Sequence, residues 1–297
     1  MDRAFSPLKF RRSDYLQNGP ATRRLRGFHD AGNVYRLRNW SLGRLDCMRA
    51  LILSDIHGNL EALKAVLAAA EPYDALWNLG DMVGYGGSPN EVIDLMRAKA
   101  QINVRGNHDR VGAGLTSALG FNPVARAAAI WTRDELTPEN LAWLRAVPQG
   151  PIQPDEPGVT CVHGSPLNED QYILSMRDAW APLQQMTTAI TFFGHTHLQG
   201  GFSQKEHDWH EIKPQFRTKN EAESWTMAIA EGTRHLINPG SVGQPRDCDW
   251  RAAFVVYDSE AETVIYHRVP YDLTAAQGRI LMAGLPERLA ARLREGR

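Results

Sequence analysis

The chain has 297 residues, 33 Lys and Arg against 34 Asp and Glu for a formal net charge of −1, and 43% hydrophobic residues. That is core-forming material for one large domain or two small ones, and the near-zero charge argues against a dedicated nucleic-acid binder. No apolar run approaches the roughly 18 residues of a helical membrane span, and three cysteines (Cys47, Cys161, Cys248) without a C-x-x-C argue against a disulfide framework or thiolate zinc site, so a protein of the cytoplasm is expected.

Residues 1–47 carry ten Lys/Arg and four Asp, whereas residues 48–297 carry 23 basic and 30 acidic groups. The leading segment has no sustained periodicity, contains the breakers Asn18-Gly19-Pro20, Gly27, Gly32 and Gly43, and lacks the apolar stretch of a secretory signal. It reads as a basic, disordered N-terminal extension, with the ordered protein opening at Met48.

From Met48 the chain repeatedly sets a short apolar run before a polar cluster. Ala50–Leu53 precedes Ser54-Asp55-Ile56-His57-Gly58-Asn59, Ala75–Leu79 precedes Gly80-Asp81, and Ile102–Val104 precedes Arg105-Gly106-Asn107-His108-Asp109. Val159–Val162 precedes His163-Gly164, and Ile190–Phe193 precedes Gly194-His195-Thr196-His197. Such runs read as buried strands, and in open α/β sheets ligands bind beyond the carboxyl ends of strands.

Helical signals fill the gaps. Leu60 to Ala70 is rich in helix formers, Ser88-Pro89-Asn90-Glu91 has the form of a capping box with Pro at the first helical position, and Asn122-Pro123 and Thr137-Pro138 repeat the cap-then-Pro pattern. After His197 the pattern turns strand-like at Leu236-Ile237, Ala253–Tyr257 and Thr263–Tyr266. An α/β fold with two sheets flanked by helices is expected, spanning residues 48–271, followed by a C-terminal helical tail over 272–297 interrupted at Gly284-Leu285-Pro286.

Each polar block alone has a bland reading as a helix cap, a turn or a pair of strand-face histidines. Together they do not, because five of the ten histidines fall in these strand-end clusters alongside Asp55, Asp81 and Asn107. Imidazole, carboxylate and carboxamide donors without thiolate suit Mn, Fe or Zn better than calcium or copper(I). Seven donors exceed one ion's needs and fit a pair of ions sharing a carboxylate.

The ordered series Asp-x-His, Gly-Asp, Gly-Asn-His-Asp, His-Gly and Gly-His-x-His resembles the calcineurin-like metallophosphoesterase superfamily. Asn238-Pro-Gly-Ser-Val-Gly-Gln-Pro-Arg246-Asp247 resembles a loop near the site in its small bacterial YfcE-type phosphodiesterase branch. The resemblance implies a four-layer αββα sandwich with two mixed sheets and the site at strand carboxyl ends. It implies that Asp55, His57 and His197 bind one metal, that Asp81 bridges, and that Asn107, His163 and His195 bind the second. His108 is then the non-ligand histidine serving the leaving group, with Asp109 either orienting its ring or capping a helix. The implied cofactors are two divalent ions, Mn2+ first, with Fe, Zn, Ni or Co as alternatives.

The implied activity is hydrolysis of a small phosphodiester or nucleotide by a metal-bridging hydroxide, with no membrane or stable nucleic-acid partner and self-association left open. Two departures weigh against a protein phosphatase. Gly84-Tyr85 stands where those enzymes carry Asp-Arg, and Asp109 stands where they typically carry Glu. A phosphomonoesterase or protein phosphatase, and a non-catalytic interaction module on the same fold, are the alternative readings. His207, Asp208 and His210 read as exposed residues of a polar loop.

Overall fold

The computed structural model describes residues 48–70 and 72–297, so the basic extension expected over 1–47 lies outside the described residues. In chain order the first half comprises β1 (Arg49–Leu53), α1 (Leu60–Ala69), β2 (Ala75–Asn78), α2 (Pro89–Lys99), β3 (Ile102–Asn103), α3 (Asn107–Gly112), α4 (Pro123–Glu135) and α5 (Pro138–Ala146). There follow β4 (Val159–Cys161), α6 (Met176–Gln185), β5 (Ile190–Phe192), β6 (Gly200–Lys205), β7 (Asp208–Ile212), β8 (Glu223–Ala228), β9 (Arg234–Asn238), β10 (Ala252–Asp258), β11 (Thr263–Val269), α7 (Leu273–Met282) and α8 (Glu287–Glu295).

The side-chain alternation of β1 shows how the layers arise. Leu51 and Leu53 enter one hydrophobic cluster and Ala50 and Ile52 another, because successive residues of a strand point to opposite faces. Both faces are covered, so the run reads as continuously apolar rather than alternating. The first cluster joins the sheet to α1 (Leu63, Val66), α2 (Val92, Ile93, Met96), α7 (Ile280) and α8 (Leu289, Leu293). The second lies between the two sheets, where Trp77, Phe192 and Tyr257 meet with ring centroids 5.8–6.4 Å apart. A third cluster, with Val162, Phe193 and Leu236, meets Ala179 and Leu183 of α6 on the outer face of the second sheet.

The result is the expected four-layer αββα arrangement. One sheet has the order β3-β2-β1-β10-β11-β8 and the other β4-β5-β9-β6-β7. Both are mixed: β1, β2 and β3 run parallel while β10, β11 and β8 pair antiparallel, and β4, β5 and β9 run parallel while β6 and β7 pair antiparallel. The parallel strands of both sheets end at one place, and the loops beyond those ends carry the polar clusters.

Asn122 and Thr137 cap α4 and α5 through their side chains as the sequence suggests. Ser88 does not. It stands at the N-cap of α2, but its hydroxyl makes no capping bond and is buried without a partner, so the capping box is not formed. The stretch with His207, Asp208 and His210 is not a loop but the β6–β7 hairpin, on which all three remain exposed. Among the described residues no helix is long and apolar enough to cross a membrane.

Candidate metal centre

Five of the seven candidate ligands have left-handed backbone: Asp55 (φ 54°), His57 (50°), Asp81 (55°), His195 (67°) and His197 (61°). Residues other than glycine seldom adopt this conformation, which costs on the order of 1–3 kcal/mol each. The kinks are pinned from outside. After β1 and β2 the two loops continue to pair, with the N–H groups of Asp55, His57 and Gly58 donating to the carbonyls of Gly80 (2.9 Å), Asp81 (2.9 Å) and Met82 (2.8 Å). His195 N–H donates to Asp55 Oδ2 at 3.0 Å, tying the loop of the second sheet to that of the first. At Gly106 the packing admits only glycine, since a Cβ would lie 2.1 Å from Asp81 Oδ1.

These loops bring all seven predicted donors together. Asp55, His57, Asp81 and His197 form one group and Asp81, His163 and His195 a second, with the donor atoms of each group within 4.8 Å of one another. Asn107 Oδ1 lies 3.1 Å from His163 Nε2, on the second group. Asp81 belongs to both.

The tautomers decide what this arrangement can hold. Nδ1 of His57 faces Val83 O (3.0 Å), Nδ1 of His197 faces Gln244 O (2.6 Å) and Nδ1 of His163 faces Leu79 O (2.9 Å). A carbonyl oxygen only accepts, so each Nδ1 carries a hydrogen, and Nε2 of each ring in its neutral form presents a lone pair. The Nε2 atoms of His57 and His197 are 3.1 Å apart, and Asp55 Oδ1, 3.3 Å from His197 Nε2, has no hydrogen-bond partner. His163 Nε2 faces Asn107 Oδ1 and His195 Nδ1, both at 3.1 Å. Lone pairs converging at such distances repel one another and are reconciled by cations. The donor set therefore fits two divalent ions, with carbonyls behind the imidazoles as orienting partners.

Electrostatics agree. Burial pushes the Asp55 carboxyl up to about 6 and, with the nearby Asp81 charge, pushes Asp109 up to about 7. Burial also drives His57 and His197 well below the ordinary imidazole range, and His195 down to about 3. Against its own burial, His163 is raised to about 10 by the Asp81 carboxylate 3.4 Å away, and Asp81 is held well below the usual carboxylate range, chiefly by His163. Around the first donor group, Asp55 pushed toward protonation beside His57 and His197 kept neutral marks a site short of positive charge, whereas at the second group a proton on His163 supplies the positive charge beside Asp81; bound cations reverse both situations.

His108 stands apart from the donors. Its backbone N–H donates to Asp81 Oδ1 at 2.7 Å, while its ring packs against Tyr85 (4.4 Å), Phe121 (4.5 Å) and His57 (4.9 Å). Burial, opposed by Asp81, lowers it to about 4. Asp109 takes the second of its two expected roles. Its carboxylate accepts from the N–H groups of Asp81 (2.8 Å), Gly106 (3.0 Å) and Val83 (3.2 Å), capping α3 and bracing the Asp81 loop, and His108 Nδ1 has no protein partner.

One neighbour of the site, Tyr172, carries no signal in the sequence. Tyr172 stacks on His195 at 4.0 Å. The Asn238–Asp247 loop was noticed, and it does brace the centre: Ser241 Oγ donates to Asp55 O at 2.7 Å, and Arg246 N–H donates to His197 O at 3.2 Å.

Comparison with known proteins gives concordant findings. A family model described as a calcineurin-like phosphoesterase superfamily domain matches residues 48–262. An uncharacterized protein of Methanocaldococcus jannaschii is 34% identical over 251 residues, covering 83% of this chain and 97% of that protein. The crystal structure of a metallophosphoesterase from Sphaerobacter thermophilus is similar at 40% identity and a TM-score of 0.72, covering 85% of this chain and 100% of that one. A hypothetical protein from Pyrococcus horikoshii shares the fold at 21% identity and a TM-score of 0.66, covering 84% of this chain and 98% of that one.

Proposed function

The chain belongs to the calcineurin-like phosphoesterase superfamily, and from that premise we propose that it hydrolyses a small phosphodiester or nucleotide with two divalent cations, held on one side by Asp55, His57 and His197, on the other by Asn107, His163 and His195, and shared by Asp81. The observation that carries this reading is the convergence of two donor groups on the single carboxylate of Asp81. Nitrogen and oxygen donors without thiolate favour Mn2+, with Fe, Zn, Ni or Co as alternatives. When bound, such ions supply Lewis-acid activation of water and of the phosphoryl group.

The residues around the centre do the rest. Asp81 fixes the spacing of the two donor groups, and its Oδ1 also holds the His108 backbone in place. His108 faces the leaving oxygen and gives it a hydrogen bond or proton as negative charge develops, an effect worth about 10²–10⁴-fold in rate. Tyr85 and Phe121 pack against its ring, with centroids 4.4 and 4.5 Å away, and hold it in place. Gly84, with φ 90°, makes room for it: a Cβ there would lie 2.5 Å from His108 Nδ1.

His108→Ala tests the assignment. The variant should bind two ions per chain like the wild type while kcat falls by about 10²–10⁴-fold, and the loss should shrink for nitrophenyl esters, whose leaving group needs little protonation. Metal loss, or an equal rate loss for good and poor leaving groups, removes His108 from the chemistry. A wild-type chain loaded with two Mn2+ that cleaves neither mono- nor bis-nitrophenyl phosphate overturns the hydrolase reading itself.

A further inference from the structure

Two tyrosines lie against imidazoles of the metal centre, one on each donor group. Tyr85 packs against His57 at 4.6 Å, is only 7% exposed, and is taken up by His108 and the Arg246 guanidinium. Tyr172 stacks on His195, with ring centroids 4.0 Å apart and planes 24° from parallel, yet stays 45% exposed. Among the described residues no other ring touches it, and its hydroxyl has no hydrogen-bond partner.

The stack leaves the metal donor free. His195 turns Nδ1 toward the second group, 3.1 Å from His163 Nε2, and the lone pair of a ring nitrogen lies in the plane of its ring. A ring on the face of His195 therefore stands beside the donors of that group rather than across them. Nor is Tyr172 carried on a loose segment. The loop before it closes on itself, with Asn168 N–H donating to Ser165 O (3.1 Å), Gln171 N–H to Asn168 O (3.0 Å) and Ser165 N–H to Gln171 O (3.2 Å). Arg110 ties that loop to α3, the helix that Asn107 and His108 open, by donating to Asp170 Oδ1 at 2.7 Å and Oδ2 at 2.8 Å and also to Glu169. An aromatic ring held in place with part of its surface open is pre-organised for binding, because little ordering is left to oppose association. A planar base fits such a ring, since every base has a π-face to stack on it.

We infer that Tyr172 is a stacking platform for the base of a nucleotide whose phosphate sits on the two donor groups, so that esters carrying a nucleobase are preferred to aliphatic ones. The inference rests on the hydrolase reading above and chooses between the substrate classes named there.

The test uses the full chain loaded with Mn2+ and two probes that cannot be hydrolysed, the phosphonate analogues of adenosine monophosphate and of ribose 5-phosphate, in which a methylene replaces the ester oxygen. They share sugar and phosphonate and differ only in the base. By calorimetry the wild type should bind the adenosine analogue about tenfold more tightly, near the low end for stacking one base on an aromatic side chain. Tyr172→Ala should abolish most of that preference and leave the affinity for the ribose analogue unchanged, Tyr172→Phe should keep it, and each variant should hold two Mn2+ per chain. Tyr172→Leu, which still covers His195 but offers no ring, should behave like the alanine variant. Equal affinity of the wild type for the two probes, an equal loss for both in Tyr172→Ala, or a full preference kept by Tyr172→Leu overturns the platform. Release of Mn2+ by both the alanine and leucine variants makes Tyr172 a support for His195 and overturns it as well. Failure of the loaded wild type to cleave mono- and bis-nitrophenyl phosphate overturns the hydrolase reading, while the affinities for the uncleavable probes still decide the platform.

Discussion

Two regions of this protein bury ionisable side chains to the same degree and end in opposite states. On β11 and just before β10 of the six-stranded sheet, Arg268 and Arg251 are buried with Asp247 and Asp249 as partners. Arg251 donates to Asp249 Oδ1 at 3.0 Å and Oδ2 at 2.6 Å and to Glu221 O at 2.6 Å, with Glu223 3.5 Å away. Burial pushes the Asp249 carboxyl up, but Arg251 outweighs it and the pKa falls. At the metal centre burial outweighs the charges around Asp55, which rises to about 6, and Asp55 Oδ1 is left without a hydrogen-bond partner. In the first region the chain completes its own charge pairs. In the second the same residue types are arranged so that only a ligand from outside completes them, on backbone strained at five positions. Structure is served by closed pairs and function by open ones.

The largest expected effect follows from the open set. Cations that bind only the folded chain stabilise it by about 4 kcal/mol for each ion at a thousandfold excess over Kd. Stripping the metal should therefore lower Tm steeply, and Mn2+ should restore it. Asp81→Asn keeps the size of the side chain but removes the carboxylate common to both donor groups, so it should lose or severely weaken both ions, whereas Asp55→Asn should disturb one preferentially. Metal-to-protein ratios after dialysis decide this. Two ions still bound by the Asp81 variant would mean that the groups do not share a ligand.

The closed pair gives the next effect. Asp249→Asn leaves Arg251 buried with only Glu223 nearby, which should cost about 3 kcal/mol, the low end for breaking a buried ion pair. Urea unfolding of the metal-loaded protein measures it, and the metal content should stay at the wild-type ratio. A loss under about 1 kcal/mol would show that water or Glu223 replaces the partner, and the contrast between the regions would then be weaker than the geometry implies.

The open set was legible in the sequence because strand ends concentrate its donors. Each β-branched or aromatic run announces a strand, and the polar residues that follow it, such as Asp55 and His57 after Leu53, have little freedom to go elsewhere. Much of the rest was hidden for physical reasons. The β6–β7 hairpin is an exposed edge with polar residues such as Asp208 and His210 on it, so it carries no apolar alternation. Helix α6 contains Pro182, which reads as a breaker. Arg292 and Arg246 are 46 positions apart, and nothing in the spacing shows that both reach Tyr85. Asp109 was ambiguous because the residue after a histidine can brace the ring or cap the helix, and only the three N–H groups aimed at its carboxylate settle the matter.

The smallest effect asks whether an orphaned buried atom is enough to mark an open site. His235, on β9, is 3% exposed, and neither ring nitrogen has a hydrogen-bond partner. Its register neighbours are Ile190 and Ser203, and no candidate metal group among the described residues includes it. It should behave as a buried neutral base and nothing more. Burial lowers it from an ordinary 6.5 to about 4, so between those values the unfolded chain binds the extra proton and the folded chain does not. Stability from this residue is therefore complete above pH 6.5, declines as pH falls toward 4, and is flat below. At about 1.4 kcal/mol per unit, the decline from pH 7 to pH 5 amounts to roughly 2 kcal/mol. His235→Leu removes the titration while keeping an apolar side chain in place. The difference in unfolding free energy between wild type and variant, followed by urea denaturation at fixed metal, should change by that amount across the interval and should not respond to added Mn2+. Parallel pH curves would show that the ring has a polar partner. A curve displaced by Mn2+ would mean that a lone buried imidazole suffices to draw a metal, and convergence of donors would lose its standing as the mark of the centre.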